Sequence, residues 1–576
     1  MAILKLALLI AGLFSSSLFA QDEENPFNLP ENLISWSGWG KDSSNCRFAA
    51  FNTALNTSNI HKLKQHCRVA YAEGVSATPV VHRFDGVSYF PTWGGLLIAL
   101  NHTNCKQVWA VNVTEIIETF QPLSKSQALT TVPVSRTSVQ LSSDDVLFFG
   151  TQTHALIVAI DRVSGKFLAH TQINSHEHAI VTMSPTLVNV SMPDDGRNVR
   201  EVLYVGASSA EELAAVSVPG YKCCSFVGNM KALEFNRTKN SFNLLWDLSM
   251  IPEELGGEGK WSGAALWGSS PAWNTGSQLI YIATGNTYSF PSGLDENGCS
   301  ENDPSLPVQN CLPTNVWQNS VLALEANSGT PRWVRQLGPL DAWTVACIVN
   351  GTDKLRPVNC PQTPGPDADF GMSPAFVEGY GRDLEIDQGD FDTEDAIIVG
   401  QKNGNLYSMN SETGEMIWST VVGPGGTLGG LSWGVAVDSF YVHFTVINSD
   451  GRNMTLLPSN AITTSSAYGA VSINNGSIVW ETSTGEGLAF GPPSAIGAST
   501  NSVVLQPGPI IQVNWTMPVQ KGKLLALDSA SGRCLKEFEL DAPLHGGSAI
   551  QGKYVIFGTG YKGYEGEAYL YVMKGE

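Results

Sequence analysis

One pattern recurs along the chain and limits what it can fold into. It is an alternating apolar strand, a turn carrying Ser, Thr or Asn beside Gly, and a second strand bearing Trp or another large apolar residue. It reads "LLALDSASGRCLKEF" from Leu524, "VLALEANSGTPRWVRQL" from Val321 and "LYSMNSETGEMIWSTVV" from Leu406. Further copies are "LIVAIDRVSGKFLAHTQI" from Leu156, "LLIALNHTNCKQVWAV" from Leu96, "YGAVSINNGSIVWETS" from Tyr468 and a looser "MKALEFNRTKNSFNLLWDLS" from Met230. Period-two alternation on both sides of a short turn is a hairpin signal. Anchored on Ala99, Ala159, Ala232, Ala323, Ser408, Ala470 and Ala526, the copies are 60, 73, 91, 85, 62 and 56 residues apart. Each interval holds two more strands, for example "EVLYVGAS", "LIYIATGN" and "DAIIVGQKNG". Four short strands per repeat make a propeller blade. An eighth copy starts at "AYLYVMKGE" with a single strand, and "IHKLKQHCRVAYAE" near the N-terminus offers the partner. The pattern predicts an all-β, eight-bladed propeller of four-stranded antiparallel blades over residues 21–576, its ring closed by an N-terminal strand so that no edge is left free.

Residues 1–20 read as a secretory signal: Lys5, an apolar run from Leu6 to Phe14, then small residues ending at Ala20. The run is too short to cross a bilayer, and no other stretch of eighteen apolar residues occurs, so we expect no membrane span. Nine Asn-x-Ser/Thr sequons, at Asn56, Asn101, Asn112, Asn189, Asn236, Asn350, Asn453, Asn475 and Asn514, fit a secreted, extracellular glycoprotein. A net charge of −20 with no basic tract argues against nucleic acid as a partner.

Ten cysteines on a secretory route should mostly be paired. Spacing suggests Cys299–Cys311 and Cys347–Cys360, which leaves Cys46, Cys67, Cys105, Cys534 and the adjacent Cys223-Cys224. Two neighbouring cysteines either enter two separate bridges or bond to one another. The second choice is unusual, because adjacent Cα atoms lie closer than the roughly 4.4–6.8 Å of ordinary disulfides.

Several inter-strand stretches resemble the quinoprotein alcohol dehydrogenases, which bind pyrroloquinoline quinone. They are "GASSAEELAAV", "LWGSSPAWNTGSQLIYIATGNTYSFP" and "GPLDAWTVAC". "CCSFVGNMKALE", "GPDADFGMSP" and "GQKNGNLYSMNSETG" are most similar to the polyvinyl alcohol dehydrogenase branch. The resemblance implies a calcium ion on Glu211 and Asn286, oxygen donors that suit a hard cation. Read without it, Glu211 caps a turn and Asn286 supplies a left-handed position. The resemblance stacks Trp267 on the quinone, where a packing tryptophan is the plain alternative. It assigns Arg136, Thr182, Ser208 and Lys402, with Trp433 as a further candidate, to the cofactor's carboxylates and ring oxygens. A bonded Cys223–Cys224 ring would face the quinone from the other side. The catalytic aspartate is expected to be Asp341.

Three departures stand beside this. Thr344 occupies the place where the better-known enzymes carry their base, Ser76 stands where a glutamate often meets the cofactor, and no Cys-x-x-Cys-His marks a covalent haem. The expected function is oxidation of an alcohol with calcium-bound pyrroloquinoline quinone, electrons leaving to an external acceptor. The alternative is a non-enzymatic extracellular propeller that binds or scaffolds.

Overall fold

The computed structural model describes residues 35–50, 53–82, 84–192, 199–294, 312–348, 358–379, 394–426, 428–497, 501–512, 520–562 and 566–576. The expected signal segment and the Cys299–Cys311 pair lie outside them.

The anchor residues of the repeats sit on the third strand of each blade, as their spacing requires. Blades one to seven occupy 80–112, 140–172, 186–249, 272–336, 375–421, 436–483 and 494–540, each a four-strand antiparallel meander; blade seven gains two short extra strands. Blade eight is built from both ends of the chain. Ala549–Gln551, Tyr554–Gly558 and Tyr569–Lys574 form its inner strands, and Lys64–Ala70 pairs with Tyr569–Lys574 as the outermost. The expected eight-bladed propeller, closed by an N-terminal strand, is the fold observed.

The repeated Trp and Gly have a joint reason. Trp109, Trp246, Trp333, Trp418 and Trp480 lie on fourth strands opposite Ala99, Ala232, Ala323, Ser408 and Ala470, and each donates its indole N–H to a backbone carbonyl of the next blade, at 2.8–3.0 Å. Each indole lies on the turn glycine of that blade: Gly165, Gly329, Gly414, Gly476 and Gly532. A Cβ there would come within 2.4–2.9 Å of the ring, and all five glycines have φ between 68° and 72°. Left-handed backbone plus a ring at contact distance leaves glycine as the residue that fits.

Residues 36–50 and 53–54 carry no repeat pattern, yet they run past the innermost strands and offer them backbone atoms in turn. Trp36 O accepts from Val81 N in blade one and Ser37 O from Leu141 N in blade two; Ser43 O and Ser44 O accept from Trp273 N and Phe376 N in blades four and five. Cys46 O and Arg47 O accept from Val437 N and Ala495 N in blades six and seven, and Ala54 N donates to Gly552 O in blade eight. This plug is locked by Arg47, which is fully buried. Its guanidinium donates to Pro493 O (2.7 Å), Trp39 O (2.7 Å) and Ser494 Oγ (3.0 Å), and lies 5.0 Å from the Trp39 ring centre.

Arg47→Met removes every donor while leaving the carbonyls buried, so urea unfolding should show a loss of about 3–5 kcal/mol; an unchanged midpoint would mean the plug is not locked there. Blades six and seven share a buried contact in which Ser529 Oγ donates to Asp438 Oδ2 (2.6 Å) and His443 Nε2 lies 2.9 Å from the same oxygen. Burial pushes the Asp438 carboxyl up, but His443, Ser529 and the Phe440 N–H outweigh it and hold it below its ordinary value. A depressed carboxyl stabilises the fold above the unfolded-state value and loses that contribution as pH falls through the folded one. Asp438→Asn should therefore flatten the acid limb of the stability curve below about pH 4, and an unaltered limb would contradict the assignment.

Candidate active site

In a four-strand meander the loop between the second and third strands opens on the same face as the connection to the next blade. All the residues expected at the site fall in these two loop classes. Ser208, Glu211, Cys223, Cys224, Asn286 and Lys402 are in the first, and Arg136, Thr182, Trp267, Asp341 and Trp433 in the second. The topology thus places them on one face, around a bowl whose floor is the plug: Gly434, next to Trp433, lies against Arg47 and Trp39.

Glu211 opens the short helix Glu211–Ser217 and is wholly buried. Its Oε1 accepts from Tyr221 OH (2.8 Å) and Ser225 N (2.8 Å), and its Oε2 from Phe226 N (2.9 Å). Burial pushes this carboxyl up, yet His176, 3.6 Å away, and these donors hold it below its ordinary value. Cys223 and Cys224 are bonded to each other across a cis peptide, and both sulfurs lie within 4.8 Å of a Glu211 carboxylate oxygen. The ring is held by a second loop, closed by the Cys347–Cys360 bridge. From it Asn359 accepts from Cys223 N (3.2 Å) and donates to Ala215 O (2.8 Å) and Tyr221 O (3.0 Å). Of the four cysteines whose pairing the sequence left open, Cys67 bonds Cys105, whereas Cys46 and Cys534 are free thiols.

The ring and Trp267 border one apolar cluster with Phe226, Ala265 and Tyr288. Trp267 Nε1 donates to Asp369 Oδ2 (2.8 Å), and Lys402 Nζ lies 5.1 Å from its ring centre. Lys402, buried, is clasped by Asp369 Oδ1 (2.8 Å) and by both oxygens of Asp367 (3.1 and 3.2 Å). Burial would lower its ammonium, but the two aspartates raise it. Asp367 is pushed well up by burial and by the neighbouring acids, against the pull of Lys402. On the other flank Trp433, with φ of 73°, meets Trp267 edge-on at 5.3 Å, and the Arg136 guanidinium lies 5.2 Å over Trp433. Arg136 also donates to Tyr561 OH (3.2 Å).

Two buried hydroxyls in the loops of this face, Thr182 Oγ1 and Ser432 Oγ, have no hydrogen-bond partner among the described residues. At the edge of Trp267, Gly371 and Gly285 leave space that a Cβ would fill at 2.9 and 3.4 Å from the indole. Ser208 is buried on the two-residue strand Ser208–Ser209, paired with Ala179–Ile180. Asn286 donates its amide to Thr287 O and Trp343 O (both 2.9 Å), which leaves its amide oxygen directed elsewhere.

Asp341 is placed differently from the other acids. It accepts from Asn319 Nδ2 (2.9 Å), Ala368 N (2.7 Å) and Asp367 N (3.1 Å), so it pins the loop that carries Asp367 and Asp369. Thr344 donates to Asn359 O (2.9 Å), and Ser76 accepts from Trp93 Nε1 (2.9 Å). Asp367 and Asp369 are not among the residues expected from the sequence, although "GPDADFG" contains both. Nor is Glu212, a part-buried carboxyl pushed up to about 8 by burial and by Asp369 and Glu211, against Lys402.

Comparison with known proteins supplies the context for this geometry. The family model that matches, over residues 317–558, is described as outer membrane protein assembly factor BamB. A polyvinylalcohol dehydrogenase of a Pseudomonas species is 27% identical over 71% of this chain and 54% of its own length. A lanthanide-dependent methanol dehydrogenase of Methylacidiphilum fumariolicum is 24% identical over 59% of this chain and 52% of its own. The chain is related to the quinoprotein alcohol dehydrogenases. It spans about half the length of the curated relatives it matches. The crystal structure of quinohemoprotein alcohol dehydrogenase from Comamonas testosteroni, 15% identical, superposes over 95% of this chain and 82% of its own with a TM-score of 0.64, a likeness of fold. In this chain the polar cluster at Trp267 and the glutamate at the disulfide ring lie on one face of the propeller.

Glu211→Gln puts an amide N–H2 among donors. It should lower stability by about 1–3 kcal/mol, read as a fall in the thermal midpoint; an unmoved midpoint would mean that the carboxylate does not organise residues 221–226.

Proposed function

We propose that the bowl holds pyrroloquinoline quinone with a calcium ion and that the chain, a secreted glycoprotein, oxidises an alcohol and passes the electrons to an external acceptor. The observation that carries this reading is the buried Lys402, clasped by Asp367 and Asp369 against Trp267, which borders the same apolar cluster as the Cys223–Cys224 ring. A flat, multiply charged ligand fits such surroundings. Trp267 and the ring offer apolar faces, Lys402 and Arg136 are cations for carboxylates, and the unpartnered hydroxyls of Thr182 and Ser432 are donors in want of an acceptor. Ser208 and Trp433 would complete the wall.

Glu211 and the oxygen of Asn286 would hold the calcium, with Glu212 as a further hard donor nearby. A bound quinone would supply a two-electron acceptor and the cation Lewis acidity. The chain's own part is to hold and move the proton. Asp341, the acid expected to act as base, is saturated by backbone and amide donors. We assign it to positioning, and assign proton removal from the alcohol to the Asp367–Asp369 pair. Burial and the neighbouring acids push the Asp367 carboxyl well up against the pull of Lys402.

The binding-module reading has one observation in its favour: four donors from Tyr221, Ser225 and Phe226 already surround Glu211, as they would in a purely structural role. Dye-linked assays separate the two. Wild type supplied with pyrroloquinoline quinone and calcium should turn over alcohols, and Asp369→Asn should lower kcat by about 10²–10⁴-fold while retaining the cofactor's absorbance. A protein that binds the quinone but turns over no primary or secondary alcohol would leave the binding module as the function.

A further inference from the structure

The seam between blades eight and one replaces the tryptophan–glycine contact position for position. Cys105 stands six residues after the anchor Ala99, as Gly165, Gly329, Gly414, Gly476 and Gly532 stand after theirs. It keeps their left-handed backbone, with φ of 61°. On the facing strand Lys64–Ala70, Cys67 lies opposite Val572, and the register shifts between that pair and Gln65 opposite Met573. The tryptophans show the same register: Trp109 lies opposite Ala99 and Trp333 opposite Ala323, with the shift directly after the anchor. Cys67 thus holds the tryptophan place and Cys105 the glycine place, and the two are bonded.

The other holds on this strand are slight. None of its seven residues is buried. His66 Nε2 lies 2.9 Å from Thr103 O in blade one. The ion pairs Lys64–Glu576 and Arg68–Asp541 are exposed, and such pairs contribute little. The strand's ladder partner, Tyr569–Lys574, comes from the far end of the chain, so that pairing needs both ends to meet. The Cys67–Cys105 bond spans only 38 residues and keeps the strand on blade one at a much smaller cost in loop closure.

We propose that the Cys67–Cys105 bond is a redox-sensitive clasp of the ring: it stands in for the tryptophan–glycine contact where the ring closes, and its reduction frees Lys64–Ala70 from blade one. Both cysteines are half-buried, so a small thiol can reach them. A dithiol such as dithiothreitol supplies the two electrons. The S–S bond breaks, two protons pass to Cys67 and Cys105, and the reagent closes its own disulfide. A cysteine side chain lacks the broad face of an indole, so the broken pair leaves the turn uncovered. The bowl end of the same seam is formed by Trp93 of blade one on Tyr561 of blade eight, ring centres 4.4 Å apart, and Tyr561 OH accepts from Arg136 (3.2 Å). The clasp and the bowl therefore share one seam, although the inference does not need the quinone reading.

The test is hydrogen exchange on the full chain, read at the backbone amides of Lys64–Ala70. The fourth strand of blade four, Pro331–Gln336, held by Trp333 on Gly414, is the internal control. Cys67→Ser combined with Cys105→Ser should speed exchange in Lys64–Ala70 by about a hundredfold and leave the control within about twofold. Cys67→Trp combined with Cys105→Gly writes the contact of the five other seams into this one, with His102 O, three residues after Ala99, as the indole's acceptor. It should restore slow exchange and make it indifferent to dithiothreitol. If the serine pair does not fold, partial reduction of wild type gives the same reading: exchange in Lys64–Ala70 should rise in step with alkylation of Cys67 and Cys105 in peptide maps. Exchange that stays unchanged when the bond is lost would overturn the clasp. So would a folded tryptophan–glycine variant whose strand exchanges as fast as that of the serine pair, or still loosens with dithiothreitol.

Discussion

The fold depends on one contact made five times: a tryptophan on the last strand of a blade, laid over a left-handed glycine in the next blade and hydrogen-bonded to a carbonyl beside it. A sheet with one apolar face cannot be buried alone, and in a ring each sheet must be buried twice. The indole provides a broad apolar face to cover the neighbouring turn and a single donor that fixes its register. The five contacts lie near the turns of one face. The opposite face is thereby released from a packing role, and its loops vary from the four residues 401–404 in blade five to the thirty-six residues 284–319 in blade four. Function is carried by loops that a rigid scaffold positions.

The plug at 36–54 resolves the weak point of such a ring. Innermost strands leave backbone donors facing a central channel, and buried donors without partners are costly. By passing seven of the eight blades and giving a carbonyl to most of them, the plug satisfies these groups and floors the bowl at once. Around this floor four acids, Glu211, Glu212, Asp367 and Asp369, stand against Lys402 and Arg136 in the bowl and Arg47 in the plug. Such an excess in a desolvated space is unfavourable unless the acids share protons, as the elevated Asp367 and Glu212 do, or a cation joins them.

Blade count, strand order and the closure by Lys64–Ala70 were legible in the sequence, because a blade writes its two-residue alternation, its glycine and its tryptophan into every copy. Trp267, Lys402, Trp433 and Arg136 were legible through the resemblance, and the structure brings them together. Asp367 and Asp369 were not, since nothing about two acids in "PDADFG" separates a solvated turn from a clasp on a lysine 33 to 35 residues further on. The plug escaped for a related reason: its partners are first strands of blades spread over some 470 residues, and its own pattern is neither alternating nor helical. Cys46 and Cys534 are free because pairing depends on which strands are neighbours, which residue counting does not contain.

The central claim is that the face carrying Trp267 and the Cys223–Cys224 ring is a cation-dependent quinone site. It is tested most directly by equilibrium titration of the purified full chain with pyrroloquinoline quinone, followed by calorimetry and by quenching of tryptophan emission, with and without calcium. The account predicts saturable binding of one quinone per chain, strengthened by the cation and weakened by Lys402→Met. Absence of saturable binding in the presence of either calcium or a trivalent lanthanide would contradict it.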